Sequence, residues 1–355
     1  MHTSDLPPAA DTSPSSELAA ELDALRHGCG VAERTGVGSL EMLGADRARF
    51  LNAYVTCEIK TVAAGRGVHG FFTSNQGRIL SDLVLMALDD RFWIEVPAGR
   101  EQPLLEHLGR YVIADRVEMR PRAGVTALAV AGPGAAAALA QALGPAFAAA
   151  GGAPAAPWGH IQVAVPDGET VAIQRHERLG LPGMTVWAAA AAAERLRRDL
   201  IERCGARPVG QEALEVVRVE AGIPRFGTDF GPQNFPQETG DEDAVSYTKG
   251  CYLGQEVVAR IHYRGGVQKT LSGLLLDAGT PPAALPAAGA PLLYDGREAG
   301  SLGTAVYSPA LAAPIGLAIL HRRAAAPGTR LAIADSAGGG AAEVRTLPFV
   351  ESVRP

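Results

Sequence analysis

Beyond residue 270 the chain holds only short strand-like runs, at 271–276, 291–294, 303–307, 315–319 and 330–333, separated by Gly, Pro and Asp. Short strands at such spacing, with no helical periodicity between them, predict a small antiparallel barrel. Upstream, helical and strand periodicities alternate. Strands mixed with helices, then strands alone, give an α+β body followed by an all-β tail. The change falls near Val267, so the body is expected over 18–266 and the barrel over 267–355. Residues 1–17, rich in Pro, Ser and Ala, read as a disordered tail. A length of 355 residues fits two or three domains.

Within the body, helices are expected at 18–27, 45–55, 101–111, 189–204 and 211–221, the last ended by Gly222 and Pro224. Strands are expected at 37–43, 68–73, 78–88, 92–96 and 125–130, with two more inside 161–173. The turn Ser74-Asn75-Gln76-Gly77 joins two of these runs in the manner of a hairpin. A polar loop rich in Gly, Pro and Asn occupies 226–242.

Several functional classes are disfavoured. A net charge of −6 argues against a general nucleic-acid binder. The four cysteines, Cys29, Cys57, Cys204 and Cys251, are far apart, so neither a disulfide framework nor a metal site is expected. Reduced thiols fit a cytoplasmic protein. No apolar signal segment opens the chain. Residues 123–166 lack Asp, Glu, Lys and Arg, yet Gly and Pro interrupt them before the roughly 20 apolar residues of a membrane span are reached. They read as strand, helix and loop. Gly132-Pro133-Gly134 is a strand-to-helix turn; it lacks the third glycine and the downstream acid of a dinucleotide site.

Two segments carry chemistry. The first is T-K-G-C-Y-L-G-Q-E-V-V-A-R-I-H-Y-R (248–264). Helical content over 253–263 puts Cys251 at or just before a helix N-terminus, where partial positive charge and Lys249 would favour a thiolate. Gly250 and Gly254 allow close approach to the backbone. Gln255 and Glu256 add an amide and a carboxylate. Only three of 32 basic residues are lysines, Lys60, Lys249 and Lys269, and two of them flank this segment. Lysine and arginine differ chemically, so Lys249 reads as a requirement. The second segment is G-R-I-L-S-D (77–82). Alternation puts Asp82 with Leu80 on one face, where a carboxylate could accept from an amine or a pterin N–H. Arg260, His262, Arg264 and Lys269, with Tyr263, form a local basic strip, which a solvated helix end also explains.

K-G-C-Y-L-G-Q-E (249–256) resembles the signature of the YgfZ-type folate-binding proteins, and L-E-M-L-G-A-D-R-A-R-F-L-N (40–52), F-T-S-N-Q-G-R-I-L-S-D-L (72–83) and R-V-E-A-G-I-P-R-F-G-T-D (218–229) are similar to the glycine-cleavage T-protein superfamily. The resemblance runs from about residue 36 to 349. It implies a three-lobed fold, tetrahydrofolate or a related folate in a central cleft, and a C-terminal barrel. It points to Asp82, Asn75, Arg218, Tyr252, Gln255 and Glu256 as folate contacts and to Cys251 with Lys249 as the functional thiol and its neighbour. No resident metal is implied.

The superfamily holds both tetrahydrofolate-dependent aminomethyltransferases and assembly factors for 4Fe–4S enzymes, some of which modify tRNA. The transferases' Tyr-Thr-Gly-Glu stretch is missing from R-H-E-R-L-G-L-P-G-M (175–184), Leu214 stands where they carry a folate-holding Arg, and Ser81 replaces one of their paired aspartates. The resemblance therefore implies a folate-binding assembly factor with 4Fe–4S client enzymes as partners, with a one-carbon transfer enzyme as the alternative. Direct tRNA contact is a lesser expectation.

Overall fold

The computed structural model describes residues 15–165, 168–277, 285–334 and 340–351. Residues 1–14 of the expected tail lie outside them, and Ser16 and Glu17 already belong to a helix. That helix, α1 (Ser16–His27), begins where Leu18 N–H donates to Ser15 Oγ at 3.1 Å, an N-cap that satisfies one of the orphan donors of the first turn.

The chain then continues through β1 (Gly30–Glu33), β2 (Val37–Leu43), α2 (Arg47–Asn52), β3 (Gly67–Thr73), β4 (Ile79–Ala87), β5 (Arg91–Pro97), α3 (Glu101–Gly109) and β6 (Glu118–Pro121). Next come β7 (Val125–Ala131), α4 (Ala135–Leu143), α5 (Pro145–Ala149), β8 (His160–Ala164), β9 (Thr170–Arg175), β10 (Gly183–Ala189), α6 (Ala190–Cys204), β11 (Arg207–Pro208) and α7 (Gln211–Glu220). After two short 3-10 turns, α8 (Gln255–Arg260) runs into a π-helical turn at Ile261–Gly265. The last six strands are β12 (Lys269–Leu276), β13 (Pro291–Tyr294), β14 (Arg297–Ser308), β15 (Ala313–His321), β16 (Arg330–Ile333) and β17 (Gly340–Arg345).

These elements make three sheets. The first lobe is an antiparallel sheet ordered β3-β4-β5-β2-β6, the second is ordered β11-β1-β7-β10-β9-β8, and β12-β15-β14-β13-β16-β17 closes into an antiparallel barrel. This is the α+β, three-lobed arrangement with a terminal barrel that the sequence predicts. Closure removes the exposed edges an open sheet of short strands would leave. Each lobe has its own apolar centre: Phe50, Phe72, Leu85 and Ile94 in the first, Val130, Leu139, Val186 and Leu200 in the second, Leu274, Leu292, Leu320 and Val344 in the barrel. A fourth cluster, with Leu22, Leu25, Val216, Val219, Ile315 and Leu317, seats α1 and α7 between the second sheet and the barrel.

Differences from expectation have local causes. The helix expected at 45–55 is confined to Arg47–Asn52, because Val55 leaves it to bridge Phe72. The strand expected at 303–307 extends to twelve residues, with an irregularity between Leu302 and Ala305 that hides its alternation. Among the described residues no helix is long and apolar enough to cross a membrane. The charge-free 123–166 stretch instead supplies β7, α4, α5 and β8.

Candidate functional site

The β3–β4 hairpin aims two residues at the centre of the molecule. His69 pairs with Val84 across the hairpin, and Asp82 lies two residues before Val84, a diagonal position on the same face. His69 Nε2 lies 2.5 Å from Asp82 Oδ1 and His69 Nδ1 lies 3.2 Å from Asp241 Oδ2. Arg178 joins them, its Nη1 2.6 Å from Asp241 Oδ2 and its Nη2 3.8 Å from Asp82 Oδ2. Arg178 also donates to the Pro224 carbonyl at 2.5 Å.

Both His69 nitrogens face carboxylate oxygens, so both must donate, which only the imidazolium does. Burial alone would lower its pKa; the Asp82 charge and the bonds to both aspartates outweigh that and raise it. Burial likewise opposes ionisation of Asp82 and Asp241, and the His69 and Arg178 charges reverse it, lowering both. Two cations and two anions therefore form a neutral quartet.

A second buried group adjoins it. Arg34 grips Glu95 through two bonds of 2.6 and 2.8 Å and donates to Thr185 Oγ1 at 3.1 Å. His176 Nε2 lies 3.3 Å from Glu95 Oε1, and its Nδ1 accepts from the Arg178 backbone N–H at 3.4 Å. An accepting Nδ1 fixes the neutral tautomer, and burial, aided by the Arg34 charge, lowers this histidine's pKa. Arg34, with Glu95's other neighbours, outweighs burial and holds that carboxyl low.

Trp158 packs on both histidines, 5.6 Å from His69 in a stacked pose and 5.2 Å from His176 edge-on. Its φ of 57° is one that bulky residues rarely adopt. Gln174 Nε2 donates to the Trp158 carbonyl at 3.1 Å, and Gly67 lies so close to that oxygen that a Cβ there would collide with it. Strain of this kind persists only where the surroundings fix it. His69, Trp158, His176, Arg178 and Asp241 border a cleft of about 810 Å³, whose wall also includes Glu58, Arg175, Glu177 and Asp243. The volume lies within the roughly 300–1,000 Å³ of small-molecule sites.

The K-G-C-Y-L-G-Q-E run forms a strap pinned to the first lobe. Lys249 Nζ donates to the carbonyls of Asn52, Val55 and Cys57 at 2.8, 2.8 and 2.6 Å. Its ammonium thus serves the fold and is not presented to the thiol; burial pushes it down to about 8. Tyr252 is buried with its ring 5.1 Å from that ammonium. Leu253 N–H donates to Ala53 O at 2.9 Å and accepts through its own carbonyl from Thr73 Oγ1 at 2.6 Å. Gln255 Oε1 accepts from Tyr252 N–H at 3.2 Å. Among these fixed residues Cys251 is exposed. The helix starts later than the sequence suggests: Gly254 is its N-cap, and Cys251 lies four residues before Gln255.

The remaining candidates scatter. Asn75 and Glu256 are exposed. Arg218 is a clasp between body and barrel, bonded to Asp229, Glu215 and Thr304 at 2.9, 2.7 and 2.8 Å and to the Ile223 carbonyl. It shares the border of a smaller 140 Å³ cavity with Asp82. The structure thus brings Asp82 to the quartet beside the cleft, on the border of the smaller cavity, and Lys249, Cys251, Tyr252 and Gln255 to the strap. In the basic strip, Arg260, His262, Tyr263 and Arg264 are exposed, with His262 stacked on Tyr247 at 3.7 Å. Sequence reading missed His69, Trp158, His176, Arg178 and Asp241. The run R-H-E-R (175–178), four titratable residues together, was the one signal for part of this set.

Comparison with known proteins agrees with this architecture. The profile of the GCVT N-terminal domain matches residues 9–249, and that of the glycine cleavage T-protein C-terminal barrel domain matches 269–351. An aminomethyltransferase of Symbiobacterium thermophilum is 26% identical over 347 residues, covering 95% of this chain and 90% of that one. The tRNA-modifying protein YgfZ of Yersinia pestis is 27% identical over 256 residues, covering 68% and 70%. The glycine cleavage system aminomethyltransferase T of Bartonella henselae superposes with a TM-score of 0.80 at 22% identity, over 94% of this chain and 90% of that one, a likeness of fold. With family profiles matching most of its length at both ends, this chain belongs to the glycine cleavage T-protein family.

Proposed function

We propose that the protein is a cytoplasmic folate-binding factor that assists assembly, insertion or repair of 4Fe–4S clusters in client enzymes, tRNA-modifying enzymes among them, through the Cys251 thiol. One observation carries this reading: the strap's Lys249 and Leu253 are bonded to the first lobe and Tyr252 is buried, while Cys251 alone among the chain's four cysteines is exposed. A fixed, accessible thiol suits transient contact with iron or with a partner's sulfur. In this reading the cluster is cargo passed to a client; among the described residues no group of three or more His, Cys, Asp or Glu could hold a metal ion. The relative named as a tRNA-modifying protein supports this class.

The cleft suits a folate in size and chemistry. Trp158 offers a flat apolar wall, Asp243 and Glu58 offer acceptors for pterin N–H groups, and Arg175, paired with Glu177 at 2.5 Å, would take a carboxylate tail by exchanging that partner. Bound there, the folate would supply a one-carbon carrier. Asp82 would take part only after yielding a contact with His69 or Arg178.

The second reading is a tetrahydrofolate-dependent aminomethyltransferase or demethylase. Near full-length similarity to aminomethyltransferases favours it. The engaged state of Asp82 weighs against it, because a carboxylate already held by two cations is a poor partner for a reacting amine. The test is to supply purified protein with tetrahydrofolate and an aminomethyl donor, whose methylene would pass to the folate with release of ammonia. The assembly reading expects saturable folate binding without methylenetetrahydrofolate; turnover to that product establishes the second reading instead.

A further inference from the structure

Two of the chain's three tryptophans, Trp93 and Trp187, stand away from the central cleft and flank Arg122. The guanidinium carbon lies 3.8 Å from the centre of the Trp93 ring and 5.7 Å from that of Trp187. Its hydrogen bond is to Ser39 Oγ at 3.2 Å. The neighbouring arginines are answered by carboxylates: Arg91 by Glu41 at 2.8 Å and Asp90 at 2.5 Å, Arg120 by Glu41 at 2.7 Å and Glu118 at 3.3 Å. Glu41 also accepts from Trp93 Nε1 at 3.3 Å, so its oxygens are fully used. Arg122 has no ion-pair partner among the described residues. Burial pushes its pKa down to about 10, and the Glu41 charge only partly opposes this. Arg122 is half-buried, and this partly dehydrated cation is answered only by the indole faces and one hydroxyl, with no anion.

Beside this cation opens a groove of about 430 Å³, bordered also by Val125, Gln162 and Thr170. None of its lining residues borders the central cleft. The missing partner and the aromatic walls have one ligand chemistry in common. Asp89 and Asp90 stand at the rim, which disfavours a multiply charged anion. One unpaired guanidinium calls for one negative charge, and a carboxylate matches its planar donor fork. The indoles call for a flat apolar body.

We propose that the groove between Trp93, Arg122 and Trp187 is a second ligand site, which binds a small aromatic monocarboxylate. The carboxylate pairs with Arg122, the ring lies against the indoles, and Gln162 and Thr170 are placed to hydrogen-bond to ring substituents. This goes beyond the folate cleft and does not depend on it.

The test uses the full-length protein titrated with benzoate and with its neutral isostere benzamide, by calorimetry and by tryptophan emission in a Trp158→Phe background, which leaves Trp93 and Trp187 as reporters. Benzoate should bind saturably and at least about tenfold more tightly than benzamide, a difference of about 1.4 kcal/mol. Arg122→Gln should abolish that preference. Absence of saturable benzoate binding, or equal binding of the two probes by wild-type protein, overturns the proposal. The wild-type contrast decides the matter even if Arg122→Gln fails to fold.

Discussion

His69 and His176 pack against the same indole, Trp158, in opposite protonation states. The first donates from both nitrogens to Asp82 and Asp241; the second accepts a backbone N–H at Nδ1. The difference follows from neighbours: two carboxylates face His69, whereas His176 shares Glu95 with Arg34.

The pair should titrate apart. In ring-nitrogen NMR, His69 should lose its proton above the ordinary 6.5 and His176 below it. Asp82→Asn should lower the His69 value. For stability the sign is fixed by linkage. His69 holds its proton more tightly when folded, so its contribution is complete below 6.5 and is lost as pH rises through the higher folded value. Asp82 and Asp241 have lowered values, so theirs is present above 3.8 and lost as pH falls through the folded values. Denaturant midpoints measured across pH should be highest between these limits as far as the quartet is concerned. An Asp82→Asn/Asp241→Asn double variant should flatten the profile.

Thiol reactivity should follow burial. With an aromatic disulfide reagent, native protein should show one fast thiol, absent in Cys251→Ser. Cys29 and Cys57 are buried, and burial pushes their thiols up to about 11 and about 12, so they should react only on unfolding. Cys251→Ser should leave stability within about 0.5 kcal/mol, as exposed substitutions generally do.

Lys249→Met should be far more costly. It removes the shared donor of three buried carbonyls, and a buried acceptor left unpaired costs about 1–3 kcal/mol. A loss of at least about 2 kcal/mol in urea unfolding is expected. Once the strap loosens, reaction at Cys251 should become heterogeneous.

Gly254→Ala tests the strap from the other side. Gly254 has φ +86°, and a Cβ there would lie 2.8 Å from Gly77 Cα and against the Ser74 carbonyl. Both the backbone conformation and the contact exclude a side chain, so a loss of about 2 kcal/mol or more is expected, read from the thermal midpoint and urea unfolding.

The barrel was legible because its strands are short, evenly spaced and free of helical pattern. Asp82 was legible because β4 alternates through it, with Ile79, Ser81 and Leu83 buried and Leu80 and Asp82 partly exposed. The quartet was not, because its members come from β3, β4, the β9–β10 connection and the loop before α8, up to 172 residues apart between His69 and Asp241, and single-sequence periodicity carries no such pairing. β10 escaped notice because it ends in alanines that continue into α6. The Lys249 clasp was misread as thiol activation because chain proximity to Cys251 was visible and the carbonyls of residues 52, 55 and 57 were not.

The most direct test of the central claim is rescue in a host lacking the gene. The activity of a 4Fe–4S dehydratase is measured in extracts of cells supplied with wild-type or Cys251→Ser protein, at matched folded levels. The account predicts low activity in the deletion strain, restored by the wild type and not by Cys251→Ser. Full dehydratase activity in the deletion strain, or equal rescue by Cys251→Ser, would contradict it.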